Sequence, residues 1–556
     1  MPGCRRHHHQ QEHGAVRQSF AVPDFGSAFR YSGYHHAWSE GGQDGGDRML
    51  KEIMKNTIEY VNSFPKKERK SYGQFFTPIQ TAEYMASLIR TESEKVKILD
   101  PGAGNGLLTA AVVEHLIARG TAREISVVLY ENDKNIQSLL KKNIEIISSY
   151  CSQKQVKLFI KTQKENFIVD NQKYWEMQKS KGLFDIVISN PPYLKIRKEA
   201  AESVCMSEIV HGQPNMYFLF MAMAVKMLRT NGEFVFITPR SWTSGTYFKS
   251  FRSYFMDSMD IQRVHLFESR NSVFKGKEGH SDDILQETMI TYGKKSKSQS
   301  RNIIIAISQN AQDLGKVKEI QVESGNCLPE GKEHYFVLPS DEEDLKVLNY
   351  MKKMPNTVEE AGFRFKTGQV VEFRNKEYIA WEKKESTIPL LHSCNVLEGR
   401  IVFPAQTEKP QYFVVKDESK KNVMENQNTV FLKRATAKEE KRRLQPALHL
   451  ADAFAYKQFT AENHLNYLIK VGERISLCEV YGFYTLLSSD IWERYYRMLN
   501  GSTQVNSAEL NTMPIPAKDV LQKIGKTAMR EWKKQGDYFT RDNMLSSDEI
   551  LRQCIG

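Results

Sequence analysis

At 556 residues, with 40% hydrophobic and 26% charged side chains, the chain has the composition of a globular protein of two to four domains. No run reaches the roughly 18–20 apolar residues that cross a bilayer and no apolar export signal opens the chain. The seven cysteines are scattered without a C-x-x-C pair, which argues against a disulfide framework or a zinc site and suits a reducing cytoplasm. The net charge of +11 favours a polyanionic partner, and the surplus lies in residues 49–300, where 36 basic residues face 27 acidic ones.

Residues 1–48 are rich in Gly, His and Ser, show no periodicity and read as a disordered extension. A helix is predicted from Met49 onward, over LKEIMKNTIEYVNSF. Between 96 and 293 short apolar runs alternate with amphipathic stretches. The runs are Val96–Asp100, Ile125–Glu131, Val156–Ile160, Phe184–Ser189, Glu233–Thr238, Ile261–Phe267 and Glu287–Tyr292, with helices expected over Leu107–Arg119 and Asn135–Ser149. Alternation of this kind predicts an α/β fold of the doubly wound, Rossmann-like type, its sheet covered on both faces. The apolar stretch Tyr217–Leu228 reads as a buried helix. The Lys/Ser-rich piece Lys294–Arg301 marks a boundary, giving one domain over 49–300 and a second, α+β, over 301–556. Short β-rich pieces (Phe363–Phe373, Arg400–Phe403, Tyr412–Val415) precede a more helical end.

Asp100-Pro101-Gly102-Ala103-Gly104-Asn105-Gly106 follows the first strand directly and opens a helix. Glycines such as Gly102 and Gly104 let the backbone turn sharply and pass close to a ligand. The loop lacks G-K-[ST], so it is not a P-loop. An acidic-led turn of this form suits the amino-acid part of S-adenosylmethionine, with Asp100 facing its ammonium. Glu131 ends the second strand, where a carboxylate holds a ribose diol, and Asn132 lies beside the adenine ring. These features point to a nucleoside-containing cofactor without separating a methyl donor from a dinucleotide.

The strand Phe184–Ser189 runs into Asn190-Pro191-Pro192-Tyr193. The prolines stop the strand and fix the backbone after it. The Asn190 side-chain oxygen and the Pro191 carbonyl are then placed to accept both hydrogens of one planar NH₂ group. That turns the nitrogen lone pair out of conjugation and toward a sulfonium methyl, so alignment does the catalytic work. Tyr193 supplies a stacking face for a planar substrate. A planar amine is all that this loop specifies.

In this order and company the sequence resembles the gamma class of N6-adenine DNA methyltransferases from bacterial restriction–modification systems, over about residues 49–525. Gly73-Gln74-Phe75-Phe76-Thr77-Pro78 is similar to the family's N-terminal cofactor motif, which implies that Thr77 binds the donor's methionine carboxylate. Asn166-Phe167 stands where the family has Asp-Phe at the donor's adenine, and the resemblance implies that Asn166 accepts from the adenine amine. Asn215-Met216-Tyr217, Asn231-Gly232-Glu233 and Thr238-Pro239 resemble scaffold motifs, and Phe274 resembles the aromatic that faces Tyr193 across a flipped adenine.

The C-terminal half resembles one subgroup's target-recognition region at Thr367–Phe373, Pro389–Leu391, Lys433-Arg434, Lys438–Arg443, Glu462–Asn466 and Gly501–Asn506. The run Lys433–Arg443, with Lys433, Arg434, Arg442 and Arg443, reads either as a solvated helix face or as a set of phosphate contacts. The Asn and Gln of ENHLN and STQVN read adenine edges or make capping and core hydrogen bonds. His464 is structural or faces DNA. The resemblance implies a S-adenosylmethionine-dependent enzyme without a metal, acting on double-stranded DNA as a cytoplasmic monomer. Lacking a nuclease motif, it would serve beside a separately encoded restriction endonuclease. A protein N5-glutamine or RNA N-methyltransferase shares the NPPY chemistry, and a non-catalytic DNA-specificity subunit is the rival from another class.

Overall fold

The computed structural model describes residues 46–63, 76–178, 181–269, 273, 286–315, 317–436, 439–534 and 543–555. The seven expected strands are present as β1 (Lys95–Asp100), β2 (Glu124–Tyr130), β3 (Lys157–Gln163), β4 (Phe184–Ser189), β5 (Leu228–Pro239), β6 (Met259–Phe267) and β7 (Thr288–Lys295). They join β8 (Asn302–Ser308) and β9 (Lys318–Glu323) in one sheet of order β3-β2-β1-β4-β5-β7-β6-β8-β9. Strands β1 to β5 are parallel to their neighbours within that group, while β7 runs antiparallel to β5 and β6. This is the doubly wound sheet that the alternating pattern predicts.

Side chains alternate between two cores, as the two-residue period of a strand requires. Ile98, Ile186 and Ile188 face a core that includes Met49, Leu50 and Ile53 of the helix Gly46–Ser63 and Leu107 to Leu116 of the helix Leu107–Ala118. Leu99, Val187, Phe234 and Phe236 face the opposite one, built on the helix Met216–Met227 and the helix Lys249–Ser258. Every residue of Met216–Met227 except Lys226 is buried. Burying each large apolar side chain contributes roughly 1.5–3 kcal/mol. Such a helix, apolar all round, is held by packing on all sides.

The boundary expected at Lys294–Arg301 lies inside the sheet. Lys294 and Lys295 end β7 and the residues after them turn into β8, which pairs parallel with β6 from Arg263↔Ile304 to Phe267↔Ser308. A surface turn and a linker have the same polar composition, so the sequence pattern closed the sheet two strands early. After β9 comes the expected α+β arrangement. A six-stranded sheet holds Phe363–Thr367, Leu465–Lys470 and Thr429–Lys433 side by side, and a five-stranded sheet is built around Thr387–Leu391. Only Phe363–Thr367 of the longer piece Phe363–Phe373 is strand. The helices Leu477–Ser488, Asp490–Leu499 and Lys518–Lys534 share a core with the six-stranded sheet.

This C-terminal part is clamped to the end of β5. Arg240, buried, donates to Glu287 Oε2 (3.0 Å) and to the carbonyls of Arg497 (3.1 Å) and Met498 (2.6 Å). Ser244 donates to Glu509 Oε1 at 2.8 Å. No helix among the described residues is long and apolar enough to cross a membrane.

Candidate active site

From β1 the chain proceeds outward to β2 and β3, then returns to β4 on the other side of β1. The order reverses between β1 and β4, and in open α/β sheets the crevice at the carboxyl ends of such strands binds ligands. A cavity of about 290 Å³ lies at this point, with Thr77, Gly102, Gly104, Asn105, Glu131, Asn132, Asn166, Phe167, Asn190 and Pro192 in its wall.

The glycine loop is fixed from both sides. Gly104 and Gly106 have φ of +54° and +81°, which a side chain rarely adopts. The Gly104 N–H donates to Glu131 Oε2 (2.9 Å) and the Asp133 N–H to Glu131 Oε1 (2.8 Å), so backbone amides orient both carboxylate oxygens. Burial raises the Glu131 carboxyl above its usual range, against the pull of these amides. Behind the loop, Asn105 donates to Thr57 Oγ1 (2.8 Å) and Asn143 donates to the Asn105 carbonyl (2.8 Å). The N-terminal helix thus braces the loop.

Asn190 sits at the carboxyl end of β4, and its Nδ2 donates to Thr77 Oγ1 at 3.2 Å. That bond commits the amide nitrogen to the protein and assigns the acceptor oxygen to the other side of the amide. It also joins the N-terminal motif to the NPPY loop. Tyr193 is half-buried, with its hydroxyl donating to the Ile237 carbonyl of β5 (3.0 Å) and its ring edge-on to Tyr217. Burial pushes its phenol well above the usual value, which disqualifies it as a base and leaves the ring as its useful part.

Several expected roles change. Asp100 is absent from the cavity wall: it is fully buried, Oδ2 accepts from Thr109 (2.9 Å) and Oδ1 has no partner. Burial pushes its carboxyl up to about 7, against the Thr109 hydroxyl and the Gly102 amide. It underlies the glycine loop. Asn166 does line the cavity, but its Oδ1 accepts the N–H groups of Ile168 (3.1 Å) and Val169 (3.2 Å) as an N-cap. Both lone pairs of that oxygen are engaged by the backbone. Phe167 is buried, its ring 5.1 Å from Tyr130 and 5.2 Å from Phe220. Phe274 lies outside the described residues, as do Gly73, Gln74, Phe75 and Lys438.

None of the described residues of the run Lys433–Arg443 is helical, and its last two guanidiniums are engaged within the protein. Arg443 is buried and donates to Thr436 Oγ1 (3.1 Å), Asn500 Oδ1 (3.1 Å) and the Ser502 carbonyl (3.0 Å). Arg442 pairs with Asp490 (2.7 Å) and caps a helix end at the Ser489 carbonyl (2.6 Å). Both guanidiniums therefore hold the fold together. Lys433 and Arg434 are half-buried, and Arg434 donates to the Asn463 carbonyl at 3.1 Å. Asn466, fully buried, donates to the Val505 carbonyl and accepts from Thr367 (2.7 and 2.8 Å), which is the core reading of ENHLN. Sequence reasoning missed Glu202, Phe220 and Met216 in the cavity wall. They come from helices beyond the NPPY loop; Met216 was read only as part of a scaffold motif, and no local motif announces Glu202 or Phe220.

Residues 108–274 match the Eco57I restriction-modification methylase family. The chain is 29% identical to the type II methyltransferase M.PstI of Providencia stuartii over 88% of its own length and 93% of that protein's. It is 30% identical to the type II methyltransferase M.BsuBI of Bacillus subtilis over 83% of its length and 90% of that protein's. The chain belongs to the type II methyltransferases. This methyltransferase is thus a S-adenosylmethionine-dependent DNA-modifying enzyme of a restriction–modification system. The cavity fits that donor. The fixed Glu131 carboxylate suits a ribose diol, Phe167 and Phe220 offer aromatic wall, and the buried Asp100 carboxyl, with Oδ1 unpartnered, lies beneath the glycine loop.

Proposed function

We propose that this methyltransferase modifies the exocyclic N6 of adenine in duplex DNA, as the modification partner of a separately encoded endonuclease. The observation that carries this reading is Asn190 at the end of β4, its amide nitrogen tied to Thr77 beside the glycine loop of the neighbouring strand. When bound, S-adenosylmethionine supplies an electrophilic methyl on a sulfonium, and the residues of the chain position the amine. Asn190 Oδ1 and the Pro191 carbonyl accept its two hydrogens, which directs the nitrogen lone pair out of the ring plane. Tyr193, its hydroxyl anchored on β5, presents a face for the base to stack on. The adenine must leave the duplex to reach this pocket, at a cost of a few kcal/mol that stacking and the two hydrogen bonds offset. Phe274 is proposed as the opposing face. The region beyond β9 would grip the DNA and read its sequence.

Asn190→Ala tests the assignment. Transfer to DNA should fall by about 10²–10³ or more, the usual cost of deleting one preorganised hydrogen-bonding group at a reacting centre. Donor affinity, read by calorimetry, should change less than about threefold. Equal loss of both would contradict the assigned role.

A further inference from the structure

The donor's purine needs an acceptor for its amino group, and the residue expected to supply one is occupied. The four strand ends of the cavity stand in the order β4, β1, β2, β3. Asn190, the glycine loop, Glu131 and Asn166-Phe167 follow them respectively. Neighbouring strands lie about 4.8 Å apart, so these ends span about 14 Å, the length of an extended nucleoside–amino-acid conjugate. With the sulfonium near Asn190 and the ribose at Glu131, the purine falls at the end of β3, against Phe167.

At that end Asn166 Oδ1 is spent on the backbone of Ile168 and Val169. Its Nδ2 donates at 2.7 Å to Oε1 of Glu202, a half-buried residue of the helix Ala201–Cys205 that also lines the cavity. Oε2 of Glu202 takes no hydrogen bond from any described residue. We propose that Glu202 is the residue that recognises the amino group of the donor's adenine, with Asn166 as the residue that positions it. An Asn at 166 suits this better than an Asp. Its NH₂ orients the neighbouring carboxylate, whereas a second carboxylate would repel it. A carboxylate also discriminates between purines, since it accepts from a 6-amino group and repels a 6-oxo group.

The proposal rests on the reading of the cavity as the S-adenosylmethionine site, and the test separates the two. Binding of S-adenosylhomocysteine and of S-inosylhomocysteine, which carries oxygen in place of the amine, is measured by calorimetry. The proteins are the full-length chain and its Glu202→Gln and Glu202→Ala variants. The unsubstituted chain should favour the adenine ligand by about tenfold to a hundredfold, the worth of one hydrogen bond to a charged acceptor. That preference should shrink to within about threefold in Glu202→Ala, and Glu202→Gln, whose amide can donate to O6, should shift it toward the inosine ligand. A preference unchanged in both variants, with the two ligands weakened alike, would make Glu202 a structural tie and overturn the proposal. Failure of the unsubstituted chain to bind either ligand would overturn it together with the reading of the cavity.

Discussion

The catalytic sheet and the C-terminal region each bury a carboxylate completely, and they treat it in opposite ways. Asp100, beneath the glycine loop, has one oxygen on Thr109 and the other on nothing, and burial pushes it up to about 7. Glu462, in ENHLN, is equally buried but has both oxygens engaged by side chains. His392 contacts one oxygen at 3.0 Å, His464 the other at 2.6 Å, and Lys409 lies 3.8 Å away. Burial pushes Glu462 up, yet the histidine hydrogen bonds outweigh it and hold the carboxyl well below its usual range. The first region leaves one oxygen of a buried carboxyl without a hydrogen bond beneath the glycine loop. The second engages both oxygens and uses the group as framework.

Substitutions can break or sharpen this contrast. Arg443→Ala should have the largest effect on stability, about 3–5 kcal/mol by urea denaturation, because it leaves Thr436, Asn500 and the Ser502 carbonyl buried without their partner. A loss under about 1 kcal/mol, with a reduced salt dependence of DNA binding, would return Arg443 to the DNA surface.

Asp100→Asn should reveal the opposite sign. A folded-state carboxyl raised from 3.8 to about 7 binds its proton more tightly than the unfolded chain does. Stability is therefore lost as pH rises through that window, by up to roughly 4 kcal/mol. The variant without donor should lack this decline, and an identical pH profile in both proteins would refute the raised Asp100 carboxyl.

Glu462→Gln should cost about 3 kcal/mol at pH 7 by stranding the groups around it. Its lowered folded pKa contributes stability above about pH 4.5, the unfolded value, that disappears as pH falls below it. A variant as stable as the parent at pH 7 and as acid-sensitive would contradict the framework role. Smallest of all, Lys433→Glu should change stability by less than about 0.5 kcal/mol. If Lys433 touches phosphate, the slope of log affinity against log salt should fall by about one, and an unchanged slope would remove it from the interface.

The two regions also differ in how far they could be read from sequence. Strand pattern, glycine loop and NPPY are local, so β1 to β7 and the motifs on them followed from period and order, while the structure brings Gly102, Glu131 and Asn190 to one switch point. The role of Asn166 did not, because a side chain two residues before an N–H caps a helix or meets a ligand with the same letters. In the C-terminal half, charge misled. The donors of Arg442 and Arg443 fit a helix end and buried carbonyls as well as they fit phosphates, and only packing decides between them. β8 and β9 were lost to a polar turn that imitates a linker.

The identity of the modified atom is tested most directly by expressing the full-length chain in a host free of DNA methylation and mapping modified bases across its genome. N6-methyladenine at a single short sequence motif, absent when Asn190→Ala is expressed in its place, is the expected result. Methylation of cytosine, or a genome without any modified base, would contradict adenine N6 as the target of the NPPY loop.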